Sequence, residues 1–276
     1  MSGAASFTTV TELPGSRASR EQLDMARTRY EIAAQLGAGR DVLEVACGCG
    51  IGLAYIARRA RSVVGGDFDP EIVAIAQREA AGRYEVRQMD AQALPYPAGS
   101  FDTVIMLEAL YYIPDAARFF AEARRVLRPG GCLFVCSANR EWDGFNPSPF
   151  SVRYYSLTEL GQMLRAVGLE PELRVGFPVE TRGRRAALLH ALRRLAVRAG
   201  LIPKTMGGKE WLKRLVYGKL APMPRELTEE TGQVRETIVY PPGQPVTGYR
   251  VLYAIGRLPA DGRQDEQERL TEEQRQ

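Results

Sequence analysis

The sequence predicts an α/β fold: a mostly parallel sheet with helices on both faces. Three observations lead there. From about residue 41 to residue 167, short apolar runs alternate with amphipathic stretches of helical period, as in strands joined by crossover helices. The runs, such as Val104-Ile-Met-Leu107, do not alternate with polar residues, so both strand faces are covered. Finally, Val42-Leu-Glu-Val-Ala-Cys-Gly-Cys-Gly-Ile-Gly52 leads an apolar strand through three glycines into a helical pattern. Without a Cβ at those glycines, the backbone can approach a ligand closely.

The elements follow in order. Residues 1–18, rich in Ser, Thr, Gly and Ala, read as a flexible leader. Ser19 is suited to cap a helix reaching residue 36, with Leu23, Ala26, Tyr30, Ala33 and Ala34 on one stripe. Strands are predicted over 41–46, 62–67, 84–89, 103–108 and 132–137, and helices over 51–60, 70–81, 115–127 and 156–167. Pro70 sits where a first helical turn tolerates it, and Pro129-Gly130-Gly131 stops the fourth of these helices. Runs at 169–176 and 249–258 bring the strands to seven. The core is expected over 19–176, a basic helical cap or insertion over 177–233, the final strand region over 234–259, and a disordered acidic tail over 260–276.

The glycine spacing narrows the ligand. A dinucleotide fingerprint needs G-x-G-x-x-G, and here the third glycine comes one residue early. Glu44-x-Ala46-x-Gly48-x-Gly50 instead resembles motif I of the class I S-adenosylmethionine-dependent methyltransferases. Ala46 replaces the usual first glycine, and alanine preserves the turn if φ stays negative. Val63-Val-Gly-Gly-Asp67, Arg87-Gln-Met-Asp90, Phe101 to Ile113 and Arg125-Val-Leu-Arg-Pro-Gly-Gly131 resemble the later motifs of that family.

The resemblance implies a Rossmann-like class I methyltransferase fold and S-adenosyl-L-methionine as cofactor. It implies a cofactor-binding set of Tyr30, Glu44, Ala46, Gly48, Gly50, Asp67, Phe68, Asp90, Ala91 and Leu107. Asp67 would accept hydrogen bonds from the ribose diol, while Asp69, just before Pro70, is the natural helix cap. Phe68 is placed to stack on adenine, Asp90 to accept from its amino group, the Ala91 backbone to read the ring, and Leu94 to pack on the base. Arg29-Tyr30 resembles a pair that covers the methionine end, and a tyrosine packed into the core is the alternative. Glu108 has three readings: the methionine portion, the substrate, or a strand end.

The predicted activity is transfer of the sulfonium methyl to a small molecule or a glycan or lipid intermediate. No catalytic base is assigned; Glu108, Tyr111, Tyr112, Trp142 and Asn146 lie nearest in sequence to the strand ends, and the only histidine, His190, is remote. The loop 139–150 lies where a substrate-facing loop belongs, with a well-packed structural loop as the alternative. Two alternatives stand beside this reading. One is a non-catalytic cofactor-binding or membrane-surface module, the other an NAD(P)-dependent oxidoreductase, which the glycine spacing and the lack of a Tyr-x-x-x-Lys pair disfavour.

Composition sets the remaining expectations. The four cysteines lack zinc-finger spacing, so buried thiols and no metal are expected. No run of about 18 apolar residues appears, and residues 1–14 show no signal-peptide pattern, so a cytoplasmic protein is expected. The net charge of +4 is uneven: residues 182–219 hold eleven Arg or Lys and one acid, whereas 261–276 hold six acids and three arginines. Leu188, Leu192, Leu195 and Ala199 recur at helical spacing among those cations. That pattern reads as the solvated face of a cap, or as peripheral contact with the inner membrane surface through 182–220. No nucleic-acid partner is expected, because no binding module accompanies the charge.

Overall fold

The computed structural model describes residues 11–179 and 220–260. The basic segment apart from Leu220, His190 and all of the acidic tail but Ala260 lie outside the described residues.

Helix α1 (Arg20–Leu36) opens with a capping box: Ser19 Oγ accepts from Gln22 N–H, and Gln22 Oε1 accepts from Ser19 N–H. The parallel part of the sheet comprises β2 (Asp41–Val45), β3 (Ser62–Asp67), β4 (Glu85–Gln88), β5 (Phe101–Leu107) and β6 (Leu127–Ala138). Their crossovers carry α2 (Leu53–Ala57), α3 (Pro70–Ala80) and α4 (Ala116–Val126). After α5 (Leu157–Ala166) and β7 (Glu170–Pro178), the chain returns as β10 (Tyr249–Arg257), which inserts antiparallel between β6 and β7.

The sheet has eight strands in the order β4-β3-β2-β5-β6-β10-β7-β9, where the seven-strand expectation lacked β9 (Ile238–Val239). That edge piece is two exposed residues paired with Arg174 and Val175; it has no periodicity to read. Helix α2 starts later than the expected residue 51, because Gly50 N–H bonds to Cys47 O and Leu53 N–H to Gly50 O, keeping Ile51 and Gly52 in the turn. Strand β6 runs longer than the expected 132–137. Phe101 pairs with Leu127 and Thr103 with Cys132, so residues 128–131 loop out between them.

Core residues fill both faces, as the unbroken apolar runs required. Val104, Met106, Leu252 and Ala254 pack with α4 and α5 (Phe119, Phe120, Leu160, Leu164). Ile105, Leu107, Tyr253 and Ile255 pack with α1, α2 and α3 (Ala26, Tyr30, Ile56, Ala76). All four cysteines are free and buried.

Of the expected cap, Phe177 and Pro178 end β7, and 220–233 contain no helix. This stretch lies along α1. Asp24 accepts from Gln233 N–H at 2.8 Å and pairs with Arg235 at 2.7 Å, and Arg27 pairs with Glu229. The short strand β8 (Ala221–Pro222) pairs antiparallel with β1 (Arg17–Ala18). Among the described residues, no helix is long and apolar enough to cross a membrane.

Candidate active site

A cleft of about 700 Å³ opens at the carboxyl ends of the parallel strands, where open α/β sheets place ligands. Its floor is the turn after β2. Ala46, Gly48 and Gly50 have φ values of 58°, 57° and 75°, so every second residue of the turn is left-handed. This corrects the expectation of a negative φ at Ala46: the turn imposes the glycine conformation on an alanine, at a cost in strain. Gly52, by contrast, has φ −103°. It is needed because the Tyr30 ring lies against it.

Two carboxylates stand behind this turn. Asp67, at the end of β3, accepts from Gly48 N–H (Oδ2, 3.0 Å) and from Asp69 N–H (Oδ1, 3.1 Å). Burial pushes its carboxyl up, and these backbone donors pull it back. Asp69 caps α3 by accepting from Glu71 N–H at 2.9 Å, as its position before Pro70 predicts. Glu44 is buried on β2; its Oε1 accepts from the Tyr30 hydroxyl at 2.7 Å, and its Oε2 has no hydrogen-bond partner. Burial raises the Glu44 carboxyl to about 7, opposed by Tyr30 and by Arg29.

Eight of the ten sequence-predicted residues line the cleft: Tyr30, Ala46, Gly48, Asp67, Phe68, Asp90, Ala91 and Leu107. Glu44 and Gly50 are not on its wall: Glu44 supports Tyr30, and Gly50 abuts Leu53 and Ala76. Phe68 is 60% exposed, a flat ring open to a planar ligand. Asp90 Oδ1 accepts from the backbone and side-chain amides of Gln92. The expectation for Leu94 fails. Asp90 bridges to Ala93, and Leu94 then turns into the core toward α4, its N–H donating to Glu122 at 2.8 Å. Ile72 and Met89 supply apolar wall near Asp67 and Asp90 instead.

Glu108 follows β5 with φ 54°, a strained backbone for a side chain that lines the cleft. Its Oε2 accepts from Tyr111 OH and Ala138 N–H, each at 3.2 Å. Burial raises its carboxyl, and Arg29 opposes the rise. Tyr111 stacks on Tyr154, with centroids 4.3 Å apart and planes 20° apart. Beyond it the outer cleft is aromatic, with Tyr112, Trp142 and Phe145 beside Asn146, so the 139–150 loop does face the cleft.

Several lining residues escaped the sequence reading, four of them polar groups that pair or reach across the cleft. Arg250, from β10, pairs with Glu21 and lies 5.2 Å above the Trp142 ring. Thr11 and Glu12 reach over the inner end, Glu12 pairing with Arg29 at 2.5 Å. No local motif marks any of these four, since each is brought in by tertiary contact. Among the described residues, no group of three or more His, Cys, Asp or Glu is arranged to hold a metal.

Strand order, glycine turn and strand-end acids together define a Rossmann-like class I methyltransferase fold. Residues 43–135 match the family model described as a methyltransferase domain. A protein of Mycolicibacterium smegmatis named "Probable S-adenosylmethionine-dependent methyltransferase" is 38% identical over 53% of this chain and 58% of its own length. The phthiotriol/phenolphthiotriol dimycocerosates methyltransferase of Mycobacterium leprae is 42% identical over 34% of this chain and 36% of its own. The chain thus spans less than two thirds of either relative. The crystal structure of YcgJ from Bacillus subtilis aligns over 86% of this chain and 100% of its own, with TM-score 0.55 and 17% identity; that likeness concerns the fold.

Proposed function

We propose that the protein is an S-adenosylmethionine-dependent methyltransferase acting on a small, largely apolar acceptor or a lipid. The observation that carries this reading is Asp67. Its carboxylate is held by two backbone N–H groups at a strand end, beside a left-handed glycine turn and followed by an exposed ring, Phe68, in the same cleft. A diol-bearing nucleoside fits that arrangement.

The residues divide the cleft into two halves. Asp67, Phe68, Asp90, Ala91, Ile72 and Met89 hold the nucleoside. Arg29, buried with its Nε unpartnered, fits an amino-acid carboxylate. When bound, the cofactor supplies a sulfonium methyl as electrophile. Leu107, Glu108 and Tyr111 flank the inner end of the acceptor half, and Tyr112, Trp142 and Phe145 wall the remainder. This wall aligns an apolar acceptor and excludes water. Glu108 is the group positioned to accept a hydrogen bond or a proton from it. Relatives named for fatty-acid O-methylation and for dimycocerosate methylation support acceptors of this kind.

An oxidoreductase is less well supported. The dinucleotide order 3-2-1-4-5-6 is matched through the fifth strand, after which β10 intervenes antiparallel. Calorimetric titration with S-adenosylmethionine, S-adenosylhomocysteine and NADH tests the proposal. Binding of the first two alone is expected; NADH binding, or no binding at all, would overturn it.

A further inference from the structure

Arg29 is 7% exposed, and burying a guanidinium is costly unless an anion accompanies it. In this structure Glu12 supplies that anion, with its Oε2 2.5 Å from Arg29 Nη2. Arg29 Nε remains buried without a partner, so a single oxygen from the strap leaves the planar fork incompletely used. Beside it, Thr11 covers the glycine turn: its Cγ2 would be 3.2 Å from a Cβ placed on Gly48. Residues 11 and 12 therefore fill the inner end of the cleft with a methyl group and a carboxylate.

The same segment is tethered on its other side. Gly15 N–H donates to Met223 O, and Met223 N–H to Ser16 O, before β1 pairs with β8. Between plug and tether, Ser16 N–H bonds to Leu13 O, and Gly15 has φ 81°. That is a tight turn with Pro14 and Gly15 at its centre. Rotation there moves residues 11–12 without breaking the tether.

We propose that Glu12 holds the place of the cofactor's amino-acid carboxylate on Arg29, so that residues 11–12 are a strap displaced when the cofactor enters. The proposal rests on the cofactor reading above. Binding is then an exchange of carboxylates, and the buried cation has a partner in both states. The strap opposes ligands that carry the amino-acid end and is indifferent to those that lack it.

The test uses Glu12→Gln, which removes the charge of the strap and keeps its shape, with two ligands. S-adenosylhomocysteine carries the amino-acid carboxylate and no sulfonium, whereas 5′-methylthioadenosine lacks the amino-acid end. By calorimetry on the full chain, Glu12→Gln should bind S-adenosylhomocysteine about 3- to 20-fold more tightly than wild type. Its affinity for 5′-methylthioadenosine should stay within about twofold, and Glu12→Asp should fall between wild type and Gln. Equal changes for both ligands, no change for either, or weaker S-adenosylhomocysteine binding would overturn the proposal while leaving the cofactor reading intact. Failure of wild type to bind either ligand would overturn both.

Discussion

A Cβ on Gly52 would stand 1.9 Å from Cε1 of Tyr30. The hydroxyl of the same ring is fixed on Glu44 at 2.7 Å. Tyr30 thus ties α1 to the strand before the glycine turn and to the last residue of that turn.

Gly52→Ala should therefore be destabilising by about 1–3 kcal/mol, the range for forcing a methyl into a filled core. The ring cannot retreat without giving up Glu44. Urea unfolding measures this directly, and an unchanged midpoint would show that the ring moves freely.

Ala46 presents the opposite case. At φ 58° an alanine is strained, so Ala46→Gly should stabilise the protein by about 0.5–1 kcal/mol, after allowing for the entropy glycine adds to the unfolded chain. A lower unfolding midpoint for the variant would mean that the methyl's packing outweighs the strain.

Glu44 predicts a pH dependence. Its carboxyl is raised from 4.5 to about 7 by burial, so the folded state holds the proton more tightly than the unfolded chain does. Stability from this group is complete below pH 4.5 and falls as the pH rises to about 7, by roughly 3 kcal/mol. Glu44→Gln should flatten that slope in denaturant titrations across the interval. A slope like that of wild type would assign the fall to Asp67 and Glu108, which burial raises as well.

Asp67→Ala should weaken S-adenosylhomocysteine binding by about 1–3 kcal/mol, through lost charge-assisted hydrogen bonds. Unchanged affinity in a folded variant would remove Asp67 from the site.

Features fixed by local geometry were legible in the sequence. Ser19 as the cap of α1, the Asp69 cap and the sharp glycine turn after β2 follow from residue chemistry within a few positions. Distant contacts decide the rest. Leu94 looked like a ligand contact by its place after Asp90, until the Asp90–Ala93 bridge turned it inward. Arg250 belongs to the site only because β10 inserts beside β6. The third glycine answers to a tyrosine 22 positions earlier, not to the turn that contains it.

The ribbon of Arg17–Ala18 with Ala221–Pro222 bears on how the molecule is made. During synthesis the glycine turn and its two acids emerge early, and the parallel strands around them can associate as soon as β6 is out. The rim waits. Its partners for α1 and for the N-terminal segment, Met223, Glu229, Arg235 and Arg250, are translated well after β6. A nascent chain would form the glycine turn with Asp67 and Asp90 well before Arg250 arrives at the rim of the cleft, so the closed cleft is a late product of folding.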